Sequence, residues 1–345
     1  MVNGRPVTTA GRVTVVGAGS WGTAMAALLA SGTEVTLWAR DPELAQRITG
    51  EHLNVAYLPG IPLPERLRAT SDLQAAVAGA EVVVMAVPSH GFRDVFRRVA
   101  AALSPAAVVV SLTKGIEVDT LLRMTEVVAD VCPDRDPNRV AVLTGPNLAR
   151  EVALGQPTAS VVACRDPGIA EALQRLFMTA TFRVYTNPDL VGCEVAGALK
   201  NVIALAAGIA HGLGYGDNTK AALITRGLAE LARLGVALGG DPLTFSGLAG
   251  MGDLVATCTS DKSRNRSVGV ALGRGRALPD IVAEMQMVAE GVKTTPAVLA
   301  LGERLGVEMP IAEQVGAVLE GSRSPQDIVP ALMLREAKPE LRGIR

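Results

Sequence analysis

Short β-branched runs alternate with helical periods through the first half of the chain, and helical periods alone fill the second. Residues 12–17 (RVTVVG), 34–38 (EVTLW), 81–87 (EVVVMAV), 106–112 (AAVVVSL) and 139–143 (RVAVL) are short, continuous apolar runs. That is the pattern of strands buried on both faces of a parallel sheet. Two further runs, 159–163 and 182–185, extend the same sheet. After Asn187-Pro188 no convincing strand run follows. Helices are predicted over 189–212, 219–238, 262–274, 289–305 and 310–321, with Gly239-Gly240 and Pro310 as punctuation. The predicted fold class is α/β plus all-α. A Rossmann-type dinucleotide-binding sheet spans 1–188, and a helical substrate and catalytic domain spans 189–345.

The first strand runs straight into GAGSWG and then a helical segment, so Gly17, Gly19 and Gly22 occupy the three positions of GxGxxG. The first glycine allows the tight turn, the second a close backbone approach to a pyrophosphate, and the third close helix–strand packing. The pyrophosphate then rests on a helix N-terminus, where unpaired N–H groups favour an anion. Glycines also close ordinary turns, but here the strand before, the helix after and a second strand at βαβ spacing are all present. At the end of that second strand, 18 residues past Gly22, stands Arg40, with Asp41 next. An arginine there accommodates the 2′-phosphate of NADP, whereas an acid holds the ribose of NAD. Arg40 favours NADP or dual use; the alternative is Asp41 on the ribose with Arg40 facing solvent. The later strands end in PSHGFR, TKGIE and TGPNLAREV, loops expected at the carboxyl-end crevice. Lys114 is the strong positive charge they offer, unless it is an ordinary exposed loop lysine.

Composition narrows the partners. With 345 residues the chain is long enough for two domains, and 33 basic residues against 34 acidic ones give no global attraction to nucleic acid or an anionic membrane. Any anion site must be local. Hydrophobic residues make up 49% and aromatics only 3%, with 36 glycines, so the cores are Ala, Val and Leu packed closely. The cysteines (132, 164, 193, 258) and histidines (52, 90, 211) are scattered, which predicts neither a metal site nor disulfides and suits a reducing compartment. The first ten residues lack a signal-peptide apolar core and read as a loose extension, and no membrane span is expected. The expected location is the cytoplasm.

The helical half carries the candidate chemistry. In 189–214 an apolar stripe (Val191, Val195, Leu199, Val202, Ile203) runs beside a row of small residues, and Lys200 sits in that row. Either this lysine snorkels to water, or close packing thins its hydration and lowers its proton affinity toward neutrality. In GLAGMGDLVATCTS three glycines crowd Asp253, a position at which a carboxylate most often caps a helix. DKSRNR (261–266) opens a helix with Ser263 as N-cap followed by Arg264, Asn265 and Arg266. An arginine fork with an amide at a helix start suits a phosphate monoester; a solvated basic turn is the alternative.

Together these residues resemble one family, the bacterial-type NAD(P)-dependent sn-glycerol-3-phosphate dehydrogenases. The resemblance spans about residues 12 to 335. It rests on GAGSWGTA (17–24), LWARDPE (37–43), VPSH (87–90), TKGIE (113–117), GPNLAREV (145–152), ALKNVIALAAGI (198–209), ALITRGLAE (222–230), GMGDLVATCTSDKSRNR (250–266), VAEG (288–291) and VEMPI (307–311). It implies that Ser20, Trp21, Arg40, Tyr57 and Ala149 contact NADP or NAD, with Val288 and Glu290 closing over it. Lys114 would reach both cofactor and substrate. Gly145, Asn147, Asp253, Ser263, Arg264 and Asn265 would bind a small phosphorylated substrate, Arg264 also the cofactor, and Lys200 would accept the proton. Asn147 departs from the Ser or Thr usual at its position. A homodimer is implied by the resemblance only. Rival readings are a lysine-dependent 3-hydroxy-acid dehydrogenase, which has no need of DKSRNR, and a silent NADP sensor, which leaves Lys200, Asp253 and Arg264 unexplained. Short-chain dehydrogenase chemistry is disfavoured, because Tyr57, Tyr185 and Tyr215 all lack a lysine four residues on.

Overall fold

The computed structural model describes residues 11–285, 287, 289–337, 339 and 340. The first ten residues, expected as a loose extension, and Val288, expected to close over the dinucleotide, lie outside the described residues. By its contacts the chain divides into two units. One comprises the chain up to Thr113 together with Met124–Leu190, and the other Lys114–Arg123 with the chain from Val191 on. The segment from Lys114 to Arg123 therefore counts with the helical unit although it lies within 1–188.

The first unit is built on one eight-stranded sheet in the order β3-β2-β1-β4-β5-β6-β7-β8. The strands are β1 (Arg12–Val16), β2 (Glu34–Trp38), β3 (Arg68–Thr70), β4 (Val82–Met85), β5 (Val108–Ser111), β6 (Val140–Thr144), β7 (Thr158–Cys164) and β8 (Phe182–Asn187). All neighbours pair in parallel except β6 with β7, which is antiparallel. The central strands VVVM and VVVS are buried throughout, as their unbroken apolar character requires. β1 pairs with β2 on one side and β4 on the other, so the strand order reverses at β1. The crevice at that reversal, outside the carboxyl ends of β1 and β4, is where open α/β sheets bind ligands. Edge strand β3 was not expected. Its sequence, Arg-Ala-Thr, has no apolar run and is held by Thr36↔Arg68 to Trp38↔Thr70 pairing on β2.

The second unit is organised around the helix Leu190–Gly212. It is the one described helix long and apolar enough to cross a membrane, but 94% of its most apolar window is buried in the fold, which marks a core helix. Its small residues have a definite partner, the helix Arg264–Gly273. A methyl group on Gly208 would sit 2.2 Å from the Arg266 carbonyl oxygen, and one on Gly269 would sit 2.2 Å from that of Leu205. Gly212 and Gly273 repeat the contact one turn on, at 2.4 Å from the carbonyls of Val270 and Ile209. These two backbones touch because neither helix has side chains there. The remaining long helices are Asp217–Ala237, Glu290–Leu305 and Pro310–Leu319.

Candidate active site

The glycine loop stands at the end of β1. Gly17 has φ 116°, and a methyl on it would lie 2.6 Å from the Ala86 carbonyl oxygen. On Gly22 a methyl would lie 1.9 Å from the Gly17 carbonyl oxygen, so both positions require glycine. Gly19 is different. Nothing lies within 4 Å of where its side chain would be, so the backbone is open to a close approach. Gly19 is also the N-cap of the helix Ser20–Ala30 and supplies no side-chain cap, leaving N–H groups of the first turn for an anion. The residues therefore fit a pyrophosphate. Ser20 donates to the Tyr57 carbonyl at 2.5 Å. Buried Asn54 ties the same parts together, donating to the Ala18 carbonyl (2.9 Å) and Thr23 Oγ1 (2.8 Å) and accepting from the Tyr57 N–H (3.1 Å). Sequence reasoning missed Asn54, since a single asparagine in a loop carries no periodic signal. Trp21 buries an indole N–H with no hydrogen-bond partner.

Arg40 is exposed just beyond β2. Asp41 caps the helix Pro42–Glu51, accepting from the Glu43 N–H at 2.9 Å through Oδ1. That engagement favours Arg40 as the reader of the ribose end. Gly145, directly after β6, has φ 138° and packs on Ser160. Asn147 donates to Ser160 Oγ at 3.0 Å and buries its Oδ1 without a partner, so what it offers a ligand is an acceptor. Ala149 begins the short helix Ala149–Ala153.

In the helical unit the structure brings Lys114, Lys200 and Asp253 onto one carboxylate. Lys200 does not snorkel, being only 6% exposed. Its Nζ donates to Asp253 Oδ1 and, at 2.7 Å, to Thr257 Oγ1. The other oxygen, Asp253 Oδ2, accepts from Lys114 Nζ at 2.6 Å. The expectation that Asp253 caps its helix is corrected. Gly252 is the N-cap, and Asp253 lies in the first turn of Asp253–Thr259 with its side chain 2% exposed. The preceding residues Leu248–Gly252 form a π-helical turn, closed by the Gly252 N–H on the Gly247 carbonyl at 3.1 Å. Such π-helical turns occur frequently at functional sites. Here the cations draw the carboxylate inward.

Burial pulls the Lys200 ammonium from the ordinary 10.5 down to about 7; Asp253 opposes the fall, and the Lys114 ammonium adds to it. A neutral lysine amine has two N–H groups and one lone pair. Asp253 and Thr257 take the two N–H groups, and the lone pair, beside the Lys114 ammonium, is the position that accepts a proton. Thr257 can receive this bond because its own hydroxyl proton goes to the Asp253 backbone carbonyl at 2.6 Å.

Ser263 caps the helix Arg264–Gly273, accepting from the Arg266 N–H at 3.3 Å. The two arginines that follow the cap differ. Arg264 is exposed, within electrostatic reach of Glu290, whereas Arg266 is buried and donates to Asp261 at 2.5 Å. Asn265 spends most of its amide inside the fold. It donates to Asn201 Oδ1 at 2.9 Å and accepts from the Gly291 N–H at 2.9 Å, leaving one N–H for a ligand. Asn201 and Thr257 were both missed, though one adjoins Lys200 and the other lies one turn beyond Asp253.

Two family models cover most of the chain. The description "NAD-dependent glycerol-3-phosphate dehydrogenase N-terminus" matches residues 12–170, and the corresponding C-terminus matches 189–330. Among curated relatives, glycerol-3-phosphate dehydrogenase [NAD(P)+] 2 of Sphingopyxis alaskensis is 54% identical over 93% of this chain and 96% of its own. The Geobacter sulfurreducens glycerol-3-phosphate dehydrogenase [NAD(P)+] is 53% identical over 95% and 98%. Among solved structures, glycerol-3-phosphate dehydrogenase of Coxiella burnetii superposes with a TM-score of 0.90 at 38% identity, covering 95% of this chain and all of that one. A ketopantoate reductase of Ralstonia eutropha reaches 0.58 at 20% identity, which speaks for the fold alone. The helical-half motifs and the carboxylate shared by two lysines thus belong with a dehydrogenase lineage matched over nearly the whole length, and the chain is a member of the NAD-dependent glycerol-3-phosphate dehydrogenase family.

Proposed function

We propose that the protein interconverts sn-glycerol 3-phosphate and dihydroxyacetone phosphate with NADP or NAD, NADP being favoured by Arg40. The observation that carries this reading is the Lys200 amine, buried, hydrogen-bonded to Asp253 and Thr257, and sharing the Asp253 carboxylate with Lys114. In oxidation Lys200 takes the proton of the C2 hydroxyl; in reduction its ammonium returns that proton to the developing alkoxide. The bound nicotinamide supplies the acceptor or donor of hydride. Asp253 keeps Lys200 oriented and stabilises its protonated form, while Lys114 limits that stabilisation. The N-terminus of Arg264–Gly273, with Ser263, Arg264 and the remaining Asn265 N–H, takes the phosphate. The family resemblance assigns Gly145 and Asn147 to the substrate as well. Gly17, Gly19, Ser20, Trp21, Gly22, Tyr57, Ala149 and Glu290 hold the dinucleotide. A remote phosphate fixes the reacting carbon, and such anchoring contributes several kcal/mol to positioning, on the order of what effective-molarity arguments allow.

The further expectations, a homodimer in the cytoplasm that supplies glycerol phosphate for phospholipid synthesis, are supported by the family resemblance. The test is to follow NADPH absorbance with dihydroxyacetone phosphate and with unphosphorylated dihydroxyacetone. Turnover is expected with the first and almost none with the second. Comparable kcat/KM for both refutes the phosphate site.

A further inference from the structure

Lys114 reaches Asp253 from a segment folded back on itself. Ile116 and Arg123 form an antiparallel bridge. The Glu117 N–H donates to the Leu122 carbonyl at 3.0 Å and the Leu121 N–H to the Glu117 carbonyl at 2.9 Å. Leu121 takes φ 59°, a left-handed conformation that a branched side chain adopts only when its surroundings hold it there. Ile116 is 1% exposed and its cross-strand partner Arg123 is 9% exposed. Arg123 Nη1 donates to Glu194 Oε2 at 2.6 Å, and Glu194 is likewise buried. Glu194 lies on the same helix as Lys200, six residues earlier, or about 9 Å along the axis. One helix thus carries both the reacting amine and the anchor of the hairpin that brings a second ammonium to the shared carboxylate. Stability alone is a poor reason for such a pair, because buried ion pairs are often replaceable by apolar residues at no cost.

We propose that Arg123 and Glu194 are a positioning pair whose buried ion pair pins the hairpin, keeps the Lys114 ammonium on Asp253 and so sets the electrostatic surroundings of Lys200. The inference rests on reading Lys200 as the acid–base group. Among the described residues, the charged or titratable groups acting on Lys200 are Asp253 and Lys114; the Cys258 thiol close by is pushed up to about 12 by burial and stays neutral. Releasing the hairpin gives Asp253 wholly to Lys200 and removes a like charge. Both changes favour the protonated amine.

The experiment is an NMR titration of the unliganded full-length enzyme carrying 13C-labelled lysine, with the Lys200 signal assigned by its loss in Lys200→Met. Glu194→Gln and the double variant Arg123→Met/Glu194→Leu are compared with wild type and with Lys114→Met. The Lys200 midpoint is expected to rise by about one pH unit or more in each, toward that of Lys114→Met, which is the size a nearby charge produces. Far-UV circular dichroism and the thermal unfolding midpoint serve as checks on the fold. An unchanged midpoint in either folded variant overturns the proposal. Loss of the fold in both makes the pair a stability element and overturns it equally. Because the titration needs no turnover, failure of the acid–base reading would show separately, as Lys200→Met retaining activity.

Discussion

Replacing Lys200 with methionine tests the chemistry most directly. Methionine keeps an unbranched chain on the helix, and Asp253 retains Lys114 at 2.6 Å, so no lone charge is left buried. The expected loss follows from protonation. At pH 7 an amine with the ordinary value of 10.5 is neutral in about one molecule in 3000, whereas one at about 7 is neutral in about half. Burial therefore raises the base-competent fraction by about a thousandfold, and general acid–base catalysis is itself worth a factor of ~10²–10⁴. kcat for glycerol phosphate oxidation should fall by that factor in Lys200→Met, with NADPH binding unchanged by fluorescence titration. In the wild type kcat/KM should climb about tenfold per pH unit below 7 and level off above it. Stability carries the same signature. Between about 7 and 10.5 the unfolded chain holds a proton that the native state has released, so wild-type stability rises with pH across this window and the penalty is complete below it. Urea unfolding at pH 7.5 and 9.5 should show the wild type gaining on Lys200→Met by at most about 1.4 kcal/mol per pH unit. A variant keeping a third of wild-type kcat, or the same pH slope of stability, would refute this role.

Asp253→Asn removes the group that raises the Lys200 proton affinity, so the acid limb of the kcat/KM profile should move to lower pH, opposite to the hairpin variants, while kcat drops. Arg40→Ala should raise KM for NADPH far more than for NADH; equal effects would hand the reading of the ribose to Asp41 or the backbone. Gly208→Ala places a methyl 2.2 Å from the Arg266 carbonyl and should cost about 1–3 kcal/mol in denaturant unfolding, the usual range for overpacking.

The sheet was legible because its central strands are buried on both faces, which leaves unbroken apolar runs such as VVVM. β3 was not, since an edge strand of three residues is defined by its partner and not by its own pattern. The site was legible one residue at a time. Sequence placed Lys200 on a small-residue face but left open whether it was buried, and that question is decided by Asp253 and Thr257, 53 and 57 residues away. For Asp253 local grammar predicted a cap, and two cations overrode it. The engagement of Arg266 was not legible, because the aspartate that takes its guanidinium lies five residues earlier, outside the usual helical neighbour spacing. The Arg123–Glu194 pair, 71 residues apart, left no local trace at all.

The glycine contacts between Leu190–Gly212 and Arg264–Gly273 have a consequence for what the enzyme can be made to accept. With backbone against backbone there is no side-chain layer to compress, and a helix can re-seat its glycines only by a jump of four residues, about 6 Å. The span from the Lys200 amine to the Ser263 end of its companion is therefore a fixed caliper. On the proposed reading, it gauges the distance from a phosphate to the carbon being oxidised. A longer phosphorylated alcohol would have to be accommodated by rebuilding the turn before Ser263, because repacking side chains would leave the gauge unchanged. Selection for altered chain length should then yield insertions or deletions near residues 259–263 and leave Gly208, Gly212, Gly269 and Gly273 alone.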